Sequence, residues 1–383
     1  MIIANIELLP SGEIVNLDCV EKNITILPAE LSTIDNSKII GFENAIAFPG
    51  LVNSHDHLDF NLFPMLGNPP YHNYTEWGRN IQISCRKEID AILSIPVQLR
   101  VRWGMYKNLL SGVTTVVDHG QQIKIPNPLV KIISNHQSLH SVGFEKYWKL
   151  KLNNPLKKNV HCVIHIGEGT DQFSKDEIDA LLKWNLLHRP LIGIHGVAMS
   201  AEQARGFKGL VWCPASNFFL FDTTADIGAL KLNTLVCFGT DSTLTSGWNT
   251  WDHIRMAKKT SYADDADLLR MLTENPSNLW GIRNKADLII ARKKVTGDGM
   301  QSFSSTNPED ILLILQDGNI SLFDNSIVGD ITHLGYSPAS YTQIFINGTK
   351  KYVTGDLKAL VEEIWKYSPS IKFPFELPPN KGD

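Results

Sequence analysis

Hydrophobic and polar positions change their rhythm once along this chain. Over residues 1–48, short apolar runs alternate with polar positions and are broken by Pro10-Ser11-Gly12. That pattern predicts a few short strands joined by tight turns. From Gly50 onward, β-type runs recur at Leu51–Ser54, Val113–Val117, Ser141–Phe144, Val160–His165, Leu191–His195, Leu210–Trp212 and Leu235–Phe238. Stretches with helical character lie between them. One, Lys175–Trp184, follows Ser174, a residue type suited to a helix N-cap. Strands alternating with helices predict a parallel sheet with helical crossovers. Seven strands are well marked. The interval from His119 to Val160 is short for two more strands with their helices, and Leu129–Ser134 reads equally as a short strand or part of a helix. The parallel unit is therefore expected to be trimmed or distorted on that side. Past Gly281 the strand rhythm returns at Lys285–Ala291, Ile311–Leu315 and Tyr341–Thr349, with Asn347-Gly348 as a hairpin turn. These runs are assigned to the same small β domain as the N-terminus. Asp356–Tyr367 reads as a helix, and the Pro-rich end as a surface tail.

Composition narrows the class. A length of 383 residues, with 43% hydrophobic and 20% charged, suits one large α/β unit plus a minor domain. A net charge of -4 argues against nucleic acid as the main partner. No apolar run approaches the roughly 20 residues of a membrane span, and Met1-Ile-Ile-Ala-Asn lacks the basic-then-apolar pattern of a secretory signal. The five cysteines are odd in number and form no C-x-x-C pair, so reduced, buried thiols in a cytoplasmic protein are expected.

The chemistry is concentrated where the parallel strands end. Four segments finish a β-type run with metal-binding side chains: Leu51-Val-Asn-Ser-His55-Asp-His57, His165-Ile-Gly-Glu168, Leu191-Ile-Gly-Ile-His195 and Leu235-Val-Cys-Phe-Gly-Thr-Asp241. His55 and His57 stand at i and i+2, so in a strand both point the same way, as two ligands of one ion require. Asp56 then faces the opposite side and reads as structural, whereas Asp59 is placed to reach the site from the loop. Gly167 and Gly169 let the chain turn so that His165 and Glu168 face one centre. In a (β/α)8 barrel, reactive residues sit at the carboxyl ends of strands, where all of these fall. Imidazoles, a carboxylate and further acid/base groups are what a hydrolytic metal site needs.

These residues resemble a known family. Pro49-Gly50-Leu51-Val52-Asn53-Ser54-His55-Asp56-His57 resembles the first-strand motif of the amidohydrolase superfamily. His165-x-x-Glu168 resembles its cytosine-deaminase, adenosine-deaminase and triazine-hydrolase branches. Gly239-Thr240-Asp241-Ser242 resembles the last barrel strand of that group, and Asn275-Pro276-Ser277 followed by Lys285–Ile290 resembles the return to a small β domain. The resemblance implies an α/β fold, a (β/α)8 TIM-like barrel over residues 49–282. A small β-sandwich would be built from residues 1–48 and 283–383, the latter with a C-terminal helix and tail. It implies one divalent metal ion, zinc foremost and iron or manganese as alternatives, held by His55, His57, His165 and Asp241. Glu168 becomes a proton shuttle, and His195 a further ligand or a hydrogen-bonding group beside the attacking water. Asp241 doubles as a proton acceptor. The implied activity is hydrolysis of a carbon–nitrogen bond, deaminating a small heterocycle.

Other readings stay open at this stage. A cyclic-amide hydrolase with two metals would need a bridging side chain, for which Glu145 or a carbamylated Lys146 is the candidate. A non-catalytic relative would be expected to have lost ligands. His161, early in its strand, is read as structural, and Asp118-His119 as supporting rather than catalytic. Tyr71, Tyr74, Trp77, Phe218, Phe219, Trp248 and Trp251 fall in loops on the catalytic side, where some could stack on a flat substrate. A small-molecule substrate is the expected partner, with no nucleic acid or membrane, and a homodimer as the expected assembly.

Overall fold

The two rhythms of the chain become two kinds of sheet. A computed structural model describes residues 1–20, 22–28, 38–120, 123–282 and 286–379. Ten strands form one continuous, mostly antiparallel sheet drawn from both ends of the chain. The strands Ile2–Leu8, Glu13–Val20 and Asn23–Leu27 pair in sequence, and Ala45–Pro49 lies parallel to the first of them. The returning strand Leu288–Arg292 pairs antiparallel with Ala45–Pro49, which binds the two ends together. Ile311–Gln316, Asn319–Asp324, Thr349–Val353 and Thr342–Ile346 continue the sheet, and the short strand Ile39–Gly41, parallel to Ile2–Leu8, is the tenth. The hairpin at Asn347-Gly348 forms as expected: both residues take positive φ, 46° and 74°, the geometry of a two-residue turn that follows strand twist. Lys285, the first residue of one expected strand, lies outside the described residues.

The parallel strands fall into two groups among the described residues. Leu51–Asp56, Val113–Asp118 and Lys131–Ile133 form one. Gln137–Ser141, Cys162–Ile166, Leu191–His195, Gly209–Trp212 and Leu235–Phe238 form the other. Only three residues, 134–136, separate Lys131–Ile133 from Gln137–Ser141. That link is too short for a crossover helix. Lys131–Ser141 therefore acts as one bent strand, pairing with Val113–Asp118 through its first part and with Cys162–Ile166 through its second. This explains why the sequence marked seven strands clearly and ran short between His119 and Val160. No ladder joins the last strand to the first among the described residues, yet they meet past their ends, where the Asp241 N–H donates to the His55 carbonyl at 3.0 Å.

Local signals were mostly read correctly, with three corrections. The strand expected at Ser141–Phe144 lies earlier, at Gln137–Ser141, and residues 142–144 form a turn. The helix expected from Lys175 begins earlier, at Gln172, and its cap is Asp171 rather than Ser174. Asp171 accepts both the Ser174 N–H and its hydroxyl, so Ser174 sits buried inside the first turn. The Pro-rich end, expected as a surface tail, packs against the body through Ile371, Phe373, Phe375 and Leu377. Phe373 meets Trp103 edge-on at 4.8 Å, and Glu376 pairs with Phe345.

The helix Val97–Leu110 lies against the turn Leu58–Phe60 that directly follows His57. Their contact is at Gly104, where a Cβ would stand 2.2 Å from the Leu58 carbonyl oxygen. Gly104→Ala would gain about 1 kcal/mol of helix propensity, but it must push backbone aside, at a cost of about 1–3 kcal/mol or more. A lower denaturant midpoint is expected. An unchanged or raised midpoint would show that the turn yields freely.

Candidate active site

Four strand ends deliver five side chains to one point. His55 is the penultimate residue of the first parallel strand, Leu51–Asp56, and His57 stands one residue beyond its end. His165 lies in Cys162–Ile166, His195 ends Leu191–His195, and Asp241 follows Leu235–Phe238. His195 and Asp241 adopt positive φ, 71° and 55°, uncommon for residues with a side chain. Those backbone turns aim both groups inward.

The donor atoms converge. His165 Nε2 lies 3.2 Å from His55 Nε2 and 3.4 Å from His57 Nε2. Asp241 Oδ1 lies 3.6 Å from His55 Nε2 and 3.8 Å from His57 Nε2. Four ligands at about 2.0–2.2 Å around a tetrahedral ion sit roughly 3.3–3.6 Å apart; the four distances here, from 3.2 to 3.8 Å, bracket that spacing. His55, His165 and His195 also group tightly enough to share an ion.

Tautomers support this reading. His165 Nδ1 is 2.7 Å from the His140 carbonyl, which can only accept. Its Nδ1 therefore carries the proton and its Nε2 presents a lone pair. His195 Nδ1 is 2.8 Å from Asn217 Oδ1, whose amide is oriented by donation from its Nδ2 to Thr224. Its Nε2 lone pair likewise points into the site. Burial pushes the pKa of His55 and His195 down, the latter to about 4, so these imidazoles are neutral near pH 7 and able to ligate. The buried Nε2 lone pairs of His165 and His195, turned toward one point, fit a divalent cation.

The carboxylates are driven apart. Burial raises the Glu168 carboxyl well above its ordinary range, and Asp241 and Glu177 add to the effect. Burial works against the charge on Asp241 too, but hydrogen bonding to His55 and the neighbouring imidazoles hold it well below the usual range. Asp241 Oδ2 also accepts from Ser216 and Thr245, and Oδ1 from the Ser242 N–H. The two shifts run in opposite directions, Glu168 toward the protonated form and Asp241 toward the ionised one, a separation set by environment. Glu168 Oε1 lies 3.6 Å from His195 Nε2.

Several supporting residues escaped the sequence reading. Lys107 is wholly buried, and its Nζ donates to Asp56 Oδ2 at 3.0 Å, Thr240 Oγ1 at 2.9 Å and the Asp241 carbonyl at 3.4 Å. Asn53, Asn61 and Asn108 donate to the same Asp56 carboxylate. Asp56 is structural, as expected. The signal for Lys107 was a lysine inside the apolar run Trp103-Gly-Met-Tyr-Lys-Asn-Leu-Leu110. Glu177 accepts from the Gly167 N–H at 2.8 Å and from Tyr74 at 3.0 Å, fixing the turn that carries Glu168. His119 packs 4.5 Å from His165, centroid to centroid, and neither of its nitrogens finds a partner among the described residues.

Other candidates lie elsewhere. Asp59 pairs with Arg100 at 3.4 Å and is not part of the cavity wall. His161 meets Lys208, at 3.0 Å, away from the site. Glu145 is held by Lys151 and the His140 N–H, and Lys146 is exposed, so neither bridges the His cluster. Of the aromatics singled out, Tyr74 and Trp77 line the cavity over the site; Trp251 is core and Trp248 borders a different cavity. The cavity is about 630 Å³, and Phe60 and Phe144 add to its apolar wall.

No known family's sequence profile matches the chain. No curated protein matches it either. Solved structures do. An adenosine deaminase from Xanthomonas campestris with bound zinc aligns at TM-score 0.68 and 14% identity, over 97% of this chain and 98% of its own. An atrazine chlorohydrolase from Arthrobacter aurescens complexed with zinc aligns at TM-score 0.65 and 17% identity, over 87% and 99%. An aminofutalosine deaminase from Helicobacter pylori, in complex with methylthio-coformycin, aligns at TM-score 0.63 and 14% identity, over 83% and 99%. The chain shares their fold. At these identities the likeness speaks for architecture, and the chemistry rests on the residues themselves.

Two outcomes follow from the buried carboxylates. Lys107→Met leaves the Asp56 charge without its cation and should cost about 3–5 kcal/mol, read from denaturant midpoints; a loss under about 1 kcal/mol would mean that the three asparagines suffice. Glu177, pushed up to about 7 mainly by burial from an ordinary 4.5, keeps a proton in the folded chain that the unfolded chain releases between those values. Its contribution is complete below about pH 4.5 and lost as pH rises through about 7. Glu177→Gln should flatten that part of the stability profile, though not fully, because Asp118 at about 7 acts in the same direction. An unaltered slope would assign the effect elsewhere.

Proposed function

We propose that this chain is a metal-dependent hydrolase of the amidohydrolase superfamily that removes an amino group from a small, flat heterocycle. The observation that carries this reading is a buried Glu168 carboxyl, 3.6 Å from His195 and with its pKa raised by burial, beside convergent His55, His57, His165 and Asp241. With it go the finer architectural expectations: a barrel over residues 49–282, and a β-sandwich from residues 1–48 and 283–383.

His55, His57, His165 and Asp241 would hold one divalent ion, zinc foremost. When bound, the ion supplies Lewis-acid activation of water for attack on an sp² carbon. The rest is the work of side chains. Asp241, ionised and fixed by Ser216, Thr245 and the Ser242 N–H, receives a proton from the attacking water. Glu168 donates its proton to the departing nitrogen, as a general acid whose pKa is raised by burial. His195, held in register by Asn217, stands 3.6 Å from Glu168 Oε1 and serves as a further ligand or as a hydrogen-bonding group beside the attacking water. Phe60, Tyr74, Trp77 and Phe144 offer faces to a planar ring, while Arg79, Gln82 and His140 are the polar groups within reach. The position of Glu145 and Lys146 away from the His cluster favours one ion over two, and deamination over ring opening of a cyclic amide.

The test has two arms. Purified protein should contain one divalent ion per chain, and His55→Ala with His57→Ala should remove it; full occupancy in that double variant would overturn the ligand set. Glu168→Gln should keep the metal and lose roughly 10²-fold or more in turnover. Across a panel of aminated heterocycles, ammonia should appear with turnover. A ring-opened acid without ammonia would favour the cyclic-amide reading on the same site.

A further inference from the structure

A second feature of the chain lies outside the site. Between Phe144 and Lys158 the sequence is Phe-Glu-Lys-Tyr-Trp-Lys-Leu-Lys-Leu-Asn-Asn-Pro-Leu-Lys-Lys, five lysines against one carboxylate in a chain of net charge -4. Its large apolar side chains are not tucked away. Tyr147 is 75% exposed, Leu150 74% and Leu156 92%, although Leu152 between them is fully buried. The segment continues onto the end of the helix Gln172–Trp184. Asn153 donates to the Trp184 carbonyl and accepts the Leu186 N–H, and Lys149 Nζ sits 4.1 Å above the Trp184 ring. Trp184 and Leu186 are themselves exposed. Glu145 is neutralised by Lys151, while Lys146, Lys157 and Lys158 have no ion-pair partner among the described residues. At its other end the strip reaches the mouth of the cavity, where Phe144 and the exposed Ile83 form part of the wall.

Exposed leucine and aromatic side chains interleaved with unpaired lysines have a particular physical meaning. Scattered surface apolar residues need no explanation, but a contiguous apolar and basic strip marks a contact surface. We propose that this flank docks onto anionic phospholipid membranes, with Tyr147, Leu150 and Leu156 entering the headgroup boundary and the lysines facing lipid phosphates. A nucleic acid would answer the lysines but gives leucines nothing to enter, whereas a bilayer answers both. A second copy of the chain across a two-fold axis would set lysine against lysine. No described helix is long and apolar enough to cross a membrane, so the contact is one of surface attachment. The proposal does not depend on the deaminase reading. It adds that the cavity mouth lies at the edge of the docked strip.

The experiment is co-sedimentation of the full chain with phosphatidylcholine vesicles, and with vesicles that also contain phosphatidylserine or phosphatidylglycerol. Binding to the anionic vesicles alone is expected, weakening as salt screens it. Lys146→Gln, Lys157→Gln and Lys158→Gln together should lower the affinity on the order of 10²-fold, at roughly fivefold per lysine. Tyr147→Ser, Leu150→Ser and Leu156→Ser should weaken binding to the same vesicles while metal content stays normal. Failure to bind anionic vesicles at low salt would overturn the proposal, as would equal binding by both variants. Binding to soluble polyaspartate but not to vesicles would assign the strip to an acidic protein. A concentration-dependent dimer lost in the apolar variant would assign it to a second copy.

Discussion

One buried ammonium group holds the site in register. Lys107 donates to Asp56 on the first parallel strand, to Thr240 past the last, and to the carbonyl of Asp241. Those strands belong to different hydrogen-bonded groups among the described residues. The His55 and His57 imidazoles come from one and the Asp241 carboxylate from the other. A metal site tolerates errors of only a few tenths of an ångström between its ligands, so the two edges must be tied more tightly than strand packing alone would do. A charged amine in a water-free interior serves because removing any one partner leaves an uncompensated group. The Asn53, Asn61 and Asn108 amides complete the satisfaction of Asp56, and the Asp241 N–H to His55 carbonyl bond closes the same gap on the backbone.

Around that frame, charge is apportioned by environment. Asp241 and Glu168 are both buried carboxyl groups a short distance apart, yet one is pushed toward its ionised form and the other toward its protonated one. The difference lies in neighbours. Asp241 faces imidazoles and receives three hydrogen bonds, from Ser216, Thr245 and the Ser242 N–H. Glu168 faces Asp241 and Glu177 across a low-dielectric gap. Two like charges are costly there, and the carboxyl without stabilising neighbours is the one pushed toward its protonated form. The opposite shifts therefore follow from the packing of the strand ends, and Glu177 with Tyr74 fixes the turn that carries Glu168.

The sequence legibly gave the strand positions and the ligand-bearing ends. A period-two alternation places His55 and His57 on one face whatever the fold around them, and glycines flanking Glu168 announce a turn. It read Asp56 as structural because it points opposite to His55 and His57, and His161 because it comes early in its run; the structure pairs Asp56 with Lys107 and His161 with Lys208. It misplaced the cap at Ser174, since Asp171 three residues earlier offers the same chemistry and only the observed hydrogen bonds decide between them. It also read the Pro-rich end as a surface tail, whereas Phe373 and Phe375 find a ring partner, Trp103, that is far away in sequence.

What the chain determined by itself was local: strand and helix rhythm, the phase of His55 and His57, the hairpin at Asn347-Gly348, and the reactive residue types at strand ends. Only the tertiary structure decided that Lys131–Ser141 serves as one bent strand, that Lys107 spans the first and last strands, and that His195 and Asn217 meet. It also decided which of two nearby carboxyl groups is pushed toward its protonated form. The reason is the same in each case. Periodicity and turn chemistry act over a few residues and are written in adjacent side chains, whereas desolvation, ion pairing and ring packing depend on groups distant in sequence, such as Asn217 to His195, separated by 22 positions, or Asp56 and Thr240 to Lys107, separated by 51 and 133.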